Sequence, residues 1–559
     1  MSFHPPHAHT PRPPTVMNAT RRFAVNALCL IAVNLFMRTV GVSFNAYLAG
    51  QAGGEVMGLY SLLFGVYGLA MTLGSAGINL GTTRMVAEVM GQFCPADGGT
   101  FDTDDNNPEG LPCRRAIRSV LRRCLIYSLV CSIATTVLMF TCAPVIGRVW
   151  LGDERTILSL RVLALTLPPI AVSACLGGYF TAVRRIAKTA AVGIGVQFLR
   201  IGFCTYLLTR LMPGGVEMTC LALVLGGALS EFCGLVFTYL AYLFDRHRHL
   251  SVRHAEGDRC ALSDPRMDGL TGKLLGITVP VTLSACLRSG LLTLQHILIP
   301  RGLKKSGASW EAALTSYGVL HSMVLPVVLF PSAFISSFSG LLVPEVAESC
   351  ARGDRERVAR LSFKIITPAL IFSIGVAGIM ACYGYELGEA IYSSREAGMY
   401  IRILAPLIPI MYVDSSVDAV LKGMGEQVYS MNVNIIDALA SVILVWLLLP
   451  RMGLWGYVVA IYVTETLNTT LSLCRMLRIS RMRVRLFKQV FGPLVCIVGA
   501  TAIARAVGHM FSLGIETTPQ LVAHITVTVG IYGLLLMLLK IVGRREWRFV
   551  KRVVIGGRS

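Results

Sequence analysis

The sequence predicts an all-helical protein that crosses a membrane about fourteen times, and three observations predict this class. Of the 559 residues, 54% are hydrophobic and 15% are charged, whereas soluble domains carry about 25% charged residues. The apolar residues form runs of about 20, the length that a helix needs to cross the hydrocarbon core. Basic residues gather between alternate runs, as they do in cytoplasmic loops. Soluble enzymes and disordered scaffolds are therefore excluded.

Fourteen apolar runs define the predicted transmembrane spans. The first run follows Arg21 and Arg22, is too long for a signal-peptide core and precedes no small-residue cleavage site, so it is predicted to remain as a span. The runs cover residues 24–49, 56–80, 124–144, 159–183, 189–210, 218–244, 274–300, 314–342, 362–384, 398–420, 429–450, 454–474, 490–508 and 520–542.

The distribution of basic residues predicts the orientation of the chain. With both termini in the cytoplasm, the inside segments hold about 37 of the 51 Lys and Arg residues and the outside segments about 10. The net charge of +20 is explained by these loops, which face anionic lipid. Nucleic acid is therefore not expected as a partner.

Landmarks recur between the two halves of the chain and predict an internal repeat. The first-half landmarks are Tyr60, Glu88, Pro168 and Glu231, and their counterparts are Tyr317, Glu345, Pro406 and Glu465. The separation falls from 257 to 234 residues along the chain, a loss of about the length of an acidic loop at 92–113 that only the first half has. Two six-helix bundles related by a pseudo-twofold axis, followed by two C-terminal helices, are the predicted architecture.

This repeat divides the chain into five predicted regions. A disordered tail, two bundles with a linker between them, and a C-terminal pair of helices with a basic tail follow in order. Their bounds are 1–20, 21–245, 246–273, 274–489 and 490–559.

Charges inside the predicted spans mark the candidate site, because each costs about 2.5–3.5 kcal/mol on insertion. Arg38 and Arg288 lie in the first spans of the two halves, and arginine forks suit phosphate oxygens. Arg84, Glu88 and Glu345 lie at the ends of the second spans. These five residues are the predicted substrate-binding set.

Carboxylates within the spans are candidates for carrying a proton or sodium ion. The candidates are Glu231, Asp414, Asp418 and Glu465. Simple interhelical pairing, for example of Arg200 with Glu231 or Asp437, is the alternative interpretation. His296 and His321 could also titrate.

Signatures of enzymes and metal sites are missing from the sequence. It has no HExxH, P-loop or GxSxG motif. The 16 cysteines form no CxxC pair and lie mostly in apolar runs. The acidic loop lacks the glycine and glutamate of a calcium loop. Neither enzymatic activity, nor a cofactor, nor a metal is expected.

Two stretches resemble a known family. They are NLFMRTVGVSFNAYLAGQAGGEVMGLYSLLFGVYGLAMTLGSAGINLGTTRMVAE at 34–88 and PVTLSACLRSGLLTLQHILIPRGL at 280–303. They are similar to the stage V sporulation protein B and polysaccharide-exporter family of the multidrug/oligosaccharidyl-lipid/polysaccharide (MOP) flippase superfamily, which includes lipid II flippases. Gln295–His296 stands where that family often has an acidic residue.

The resemblance implies a function and a place in the cell. We expect a flippase that moves a polyprenyl-diphosphate-linked oligosaccharide or peptidoglycan precursor across a bacterial cytoplasmic membrane by alternating access, acting as a monomer with H⁺ or Na⁺ coupling. The resemblance also implies a cationic cavity lined by spans 1, 2, 7 and 8 and a lipid-tail groove formed by spans 13 and 14. A cation-coupled drug or metabolite antiporter of the same fold and a non-transporting scaffold for envelope synthesis are the alternatives.

Overall fold

The chain is helical almost throughout in the computed structural model. The structure describes residues 16–75, 77–93, 111–183, 185–249, 270–482, 487–510 and 517–541, and no strand occurs among them. Most of the predicted N-terminal tail, of the acidic loop 92–113, of the linker 246–273 and of the basic C-terminal tail lies outside the described residues.

We number the α-helices of the described residues in chain order. They are α1 (Val16–Ser75), α2 (Ile78–Phe93), α3 (Leu111–Val145), α4 (Thr156–Leu165), α5 (Leu167–Ala182), α6 (Ile186–Leu211), α7 (Gly215–His249), α8 (Leu270–Lys305), α9 (Trp310–Gly318), α10 (Leu325–Leu329), α11 (Ser332–Ala351), α12 (Arg355–Tyr392), α13 (Arg395–Leu404), α14 (Ile408–Gly423), α15 (Gln427–Met452), α16 (Leu454–Ser480), α17 (Gly492–Met510) and α18 (Thr518–Leu538). Short π-helical turns at Ile146–Leu151, Val319–Val324 and Phe487–Phe491 and 3₁₀ turns at Met212–Gly214 and Ala405–Leu407 join some of them.

Eleven segments of the described chain are long and apolar enough to cross a membrane. Two of them, Leu35–Met90 and Ala187–His247, contain 56 and 61 residues, and each is long enough for two crossings. The predicted class, an all-helical polytopic membrane protein, is confirmed. The number of fourteen crossings stays a prediction.

Proline interrupts a helix at the same relative place in each half. In the first half, the helix is interrupted at Thr166, just before Pro168 at the start of α5. In the second half, it is interrupted at Ala405–Leu407, a 3₁₀ turn that contains Pro406. Proline lacks the N–H donor and clashes with the preceding turn. Both breaks fall at the two prolines that the predicted repeat pairs with each other.

Glycines allow the first and second halves to touch backbone to backbone. Gly53, with φ of 80°, turns the chain between the two arms of α1. A Cβ atom on Gly58 would overlap the carbonyl of Leu314 in α9, and one on Gly318 would overlap the carbonyl of Gly54. This crossing of α1 and α9 therefore admits no side chain larger than hydrogen at Gly58 or Gly318.

The last two helices, α17 and α18, also pack closely on α12 because glycines of α12 lie at the contacts. A Cβ on Gly375 would stand 2.7 Å from the Tyr532 ring, and the Tyr532 hydroxyl donates to the Ile371 carbonyl at 2.7 Å. Elsewhere, Gly384 and Gly388 of α12 lie against Arg402 and Gly398. Gly384 and Gly388 form a GxxxG pattern, in which small residues let two helices approach closely.

We expect Gly58→Ala to lower the free energy of unfolding by about 1–3 kcal/mol, because the added methyl group overpacks the crossing of α1 and α9. Thermal unfolding in detergent measures the effect. Gly68→Ala on the same helix is the control, since its Cβ would meet open space and alanine favours helix. Equal destabilisation by both changes would contradict this account of the crossing.

Candidate functional site

A cavity of about 380 Å³ opens beside α1, and two arginines line it. Arg38 comes from the first arm of α1 and Arg200 from α6. We call this space the arginine cavity. Its lining consists of Arg38, Gly41, Val42, Phe44, Asn45, Leu48, Tyr60, Gln197, Arg200, Cys204 and Pro326.

Arg38 links the first half of the chain to the second. Its Nη2 donates to the Leu329 carbonyl at 2.9 Å and lies 3.5 Å from the Ser332 hydroxyl. Both partners are neutral, and the side chain is exposed. The guanidinium therefore keeps its full positive charge and presents it to the arginine cavity.

Arg200 has a carboxylate partner on the neighbouring helix. Its Nη2 lies 3.9 Å from Glu231 Oε1 of α7, and both side chains are about one-third exposed. This is one of the interhelical pairs that sequence analysis offered as an alternative for Arg200. The separation is at the limit of an ion pair, so Arg200 keeps donor capacity for an anion in the cavity.

The second half places its membrane carboxylates together. Asp414 accepts a hydrogen bond from Asn468 at 3.2 Å, while Asp418 pairs with Lys422 at 2.6 Å and accepts from Ser430. Asp414 also interacts electrostatically with Asp418 and Asp437. We call Asp414, Asp418, Asp437 and Glu465 the acidic cluster.

Two oxygens of the acidic cluster are buried without a hydrogen-bond partner among the described residues. They are Oδ1 of Asp414 and Oδ1 of Asp437. Glu465 interacts electrostatically with both of these aspartates. Such orphaned oxygens are costly unless a proton or cation satisfies them.

Arg288 lies with the acidic cluster. The side chain is exposed on α8, and it interacts electrostatically with Asp414 and Asp437. The structure thus places Arg288 within electrostatic range of Asp414, while Arg38 lines the arginine cavity beside Arg200.

The remaining predicted substrate residues lie on exposed faces of α2 and α11. Arg84 and Glu88 share one side of α2, and Glu345 is on α11; all three are exposed. Helix α8 packs closely on α2, where a Cβ on Gly81 would stand 2.6 Å from a Thr278 methyl group.

Sequence analysis missed a charged cluster at one end of the helix bundle. Arg155 binds Glu55 at 3.0 Å and Asp153 at 2.7 Å, and Trp310 Nε1 donates to Asp153 at 3.1 Å. We call Glu55, Asp153, Arg155 and Trp310 the Arg155 cluster, and we call this end of the bundle the Asp153 end. Its residues come from three separate loops or helix starts, so no local sequence spacing could reveal them.

Hydrogen bonds stabilise the ionised form of the Asp153 side chain. Burial alone would raise the pKa of this carboxyl, but the hydrogen bonds from Arg155 and Trp310 outweigh burial and lower the pKa below its usual value of 3.8. At neutral pH the ion pair of Asp153 with Arg155 therefore lies within the first half, and the hydrogen bond from Trp310 joins Asp153 to the second half.

Polar groups continue from the Asp153 end into the interface between the halves. Ser61 and Asn45 of α1 both bond to Ser322. Nearby, Tyr317 bonds to His296 Nδ1 at 2.8 Å, and the His296 and His321 rings lie 4.6 Å apart. The two candidate histidines are thus packed together in the closed interface.

A second buried ion pair lies at the opposite end of the first half. The Asp245 side chain is fully buried, where it binds Arg185 and Lys188 and accepts from the Tyr179 hydroxyl at 2.7 Å. It ties α5, α6 and α7 together. Removing one partner of such a buried pair typically costs about 3–5 kcal/mol.

The fold and its long apolar helices define a multi-pass membrane protein. Residues 23–255 match the family of polysaccharide biosynthesis proteins. The chain is 24% identical to stage V sporulation protein B of Bacillus subtilis (strain 168), an alignment that covers 97% of this chain and 99% of that protein.

Solved structures share the fold. The lipid II flippase MurJ in an inward closed conformation gives a TM-score of 0.63 at 11% identity, covering 92% of this chain and 99% of that one. An inward-facing multidrug resistance MATE family transporter of the MOP superfamily gives 0.63 at 14% identity, covering 82% and 100%. The resemblance to the stage V sporulation protein B and polysaccharide-exporter family within the MOP superfamily is confirmed.

We expect Asp153 to make stability sensitive to acid. Because its folded pKa lies below 3.8, ionised Asp153 stabilises the fold above pH of about 4, and this contribution is lost as the pH falls through the folded value. Asp153→Asn should lower the melting temperature in detergent at pH 7 and flatten its fall between about pH 5 and 3.

Glu154→Gln is the matched control for this change, since Glu154 is 73% exposed and its ion pair with Arg148 lies on the surface. It should leave the melting temperature almost unchanged. An Asp153→Asn protein with the acid sensitivity of the unsubstituted chain would show that other carboxyls govern it.

Proposed function

We propose that this protein is a flippase for a polyprenyl-diphosphate-linked oligosaccharide or peptidoglycan precursor. The observation that carries the proposal is the arginine cavity, where Arg38 and Arg200 face one space between segments that are long and apolar enough to cross a membrane. Guanidinium groups bind phosphate oxygens through paired N–H donors. A diphosphate would therefore offer anionic oxygens to both guanidinium groups, because Arg38 has neutral partners in the protein and Arg200 has a distant one.

Similarity to named relatives supports the same substrate class. One solved relative is named as a lipid II flippase, one curated relative as a sporulation protein, and the matching family as polysaccharide biosynthesis. In this proposal, Arg288 and the exposed groups Arg84, Glu88 and Glu345 contact the headgroup on its way to Arg38. A role in sporulation is part of the proposal.

Alternating access would use the packing between the two halves. The crossing of α1 and α9 and the Arg155 cluster close the Asp153 end. With both termini in the cytoplasm, that end faces outward. Opening would require the hydrogen bond between Trp310 and Asp153 and the bonds of Ser322 to part.

The acidic cluster supports ion coupling. Asp414 and Asp437 each have a buried oxygen without a hydrogen-bond partner among the described residues, and a proton or sodium ion would satisfy both. We assign coupling to Asp414, Asp418 and Glu465, with Glu231 serving the first half. The same cluster favours a second candidate function, a cation-coupled antiporter of the same fold.

We expect Arg38→Gln to weaken retention of the lipid by about 10- to 100-fold, because one charge-assisted contact to phosphate is lost. Native mass spectrometry of the purified protein with added polyprenyl-diphosphate sugar measures the retained fraction. Arg288→Gln is run beside it to test the second predicted arginine.

Arg352→Gln is the control, since Arg352 pairs with Glu348 on the surface and its side chain is 65% exposed. It should retain lipid like the unsubstituted chain. Retention of organic cations in place of the lipid, unaffected by Arg38→Gln, would overturn the flippase proposal in favour of the antiporter.

We expect Asp414→Asn to separate coupling from binding. The variant should retain lipid but lose any acceleration of flipping that an imposed proton or sodium gradient produces in proteoliposomes, because the neutral amide cannot take up the ion. Glu356→Gln, at an exposed helix start, is the control. Gradient-driven flipping that survives in Asp414→Asn would remove this residue from the coupling site.

A further inference from the structure

A second space lies beside the arginine cavity, between α1 and α6. It has a volume of about 580 Å³, within the range of about 300–1,000 Å³ that small organic ligands occupy. We call it the lateral groove. Its lining consists of Thr39, Val40, Ser43, Phe44, Tyr47, Ile201 and Thr205.

The lateral groove and the arginine cavity are neighbours between the same two helices. Both are lined by α1 and α6, and Phe44 contributes to both linings. On α6, Arg200 and Cys204 line the cavity, while the next residues along the chain, Ile201 and Thr205, line the groove. One ligand that reaches past Phe44 could therefore occupy both spaces.

The chemistry of the two spaces differs in a way that matches an amphipathic ligand. The groove is largely apolar, and the Thr39 hydroxyl is already satisfied by the Leu35 carbonyl at 2.9 Å. The cavity holds Arg38, Arg200 and Gln197. Among the residues that the structure describes, the one carboxylate close to these arginines is Glu231, 3.9 Å from Arg200. The cavity therefore holds two guanidinium groups against one carboxylate in this part of the chain.

We propose that the lateral groove between α1 and α6 holds the isoprenoid chain of a polyprenyl diphosphate while its diphosphate binds Arg38 and Arg200. This inference rests on the proposed function and adds the place of the lipid chain. It differs from a tail site on α17 and α18, which the family resemblance implies. Here the charged end and the apolar end of the ligand are bound on adjoining faces of α1.

Photocrosslinking tests the proposal in the full-length protein in nanodiscs. A benzoylphenylalanine replaces Thr205 in the groove, Phe198 on the exposed face of the same helix, or Val498 on the exposed face of α17. Each protein is labelled with a polyprenyl diphosphate, with the corresponding polyprenol, and with a glycerophospholipid, all carrying the same detectable tag.

We expect the diphosphate to label position 205 about tenfold more than the polyprenol does, the ratio that one charge-assisted contact gives. Arg38→Gln should abolish that preference, and position 198 should show none. Equal labelling of position 205 by all three lipids would mean that ordinary bilayer lipid fills the groove. Preferential labelling at 498 instead of 205 would place the tail at α17. Either result overturns the inference.

A plug in the arginine cavity provides a second, independent measurement. Gly41 lines the cavity, and a Cβ there would stand 4.0 Å from Gln197 Nε2. Gly41→Leu should therefore fill the space without a clash at Cβ and remove the diphosphate preference at position 205. Gly50→Leu, on the same helix and facing open space, should keep it. Unchanged preference in a folded Gly41→Leu protein would contradict the proposal.

Native mass spectrometry separates failure of this inference from failure of the proposed function. If the protein retains the diphosphate but shows no preference at position 205, the chain binds elsewhere and the flippase proposal stands. If it retains none of the diphosphate, the proposed function fails as well.

Discussion

The cost of burying charge in a membrane is the constraint on which the rest of this structure depends. Each ionised side chain at membrane depth must find a partner or face water. The first half meets this constraint with Arg38 on neutral oxygens and Arg200 beside Glu231. The second half gathers carboxylates around Asp414 and Asp437, with Arg288 in electrostatic range. The two halves thus differ in the sign of charge that they present.

Closure at the Asp153 end follows from packing as much as from charge. Gly58 and Gly318 let two backbones touch, and such contact excludes water between α1 and α9. The low dielectric constant of this interface then strengthens the ion pairs of the Arg155 cluster at the same end of the bundle. A contact of this kind has two arrangements, packed or separated, because a close-packed interface does not deform continuously. The alternating access that we propose needs an interface with that property.

Sequence analysis predicted the class of fold because apolar length and basic loops are local signals. It also located Arg38, Asp414 and the proline breaks, since a charge or a proline within an apolar run is visible without the fold. It did not reveal the Arg155 cluster, whose members Glu55, Asp153 and Trp310 meet only after folding. Nor could it predict that Arg288 lies within electrostatic range of Asp414. The side on which a membrane helix presents a charge depends on the helices around it.

Helix α1 connects the arginine cavity to the closed end, and this connection has a consequence for transport. Arg38 holds the Leu329 carbonyl, and Asn45, two helical turns further along α1, holds the Ser322 carbonyl. A proposed anion that turns the Arg38 guanidinium into the cavity would draw Nη2 away from the Leu329 carbonyl. Binding of this kind would weaken a contact between α1 and the second half. Loading of the cavity and loosening of the interface are then linked through one helix, and that linkage requires no nucleotide.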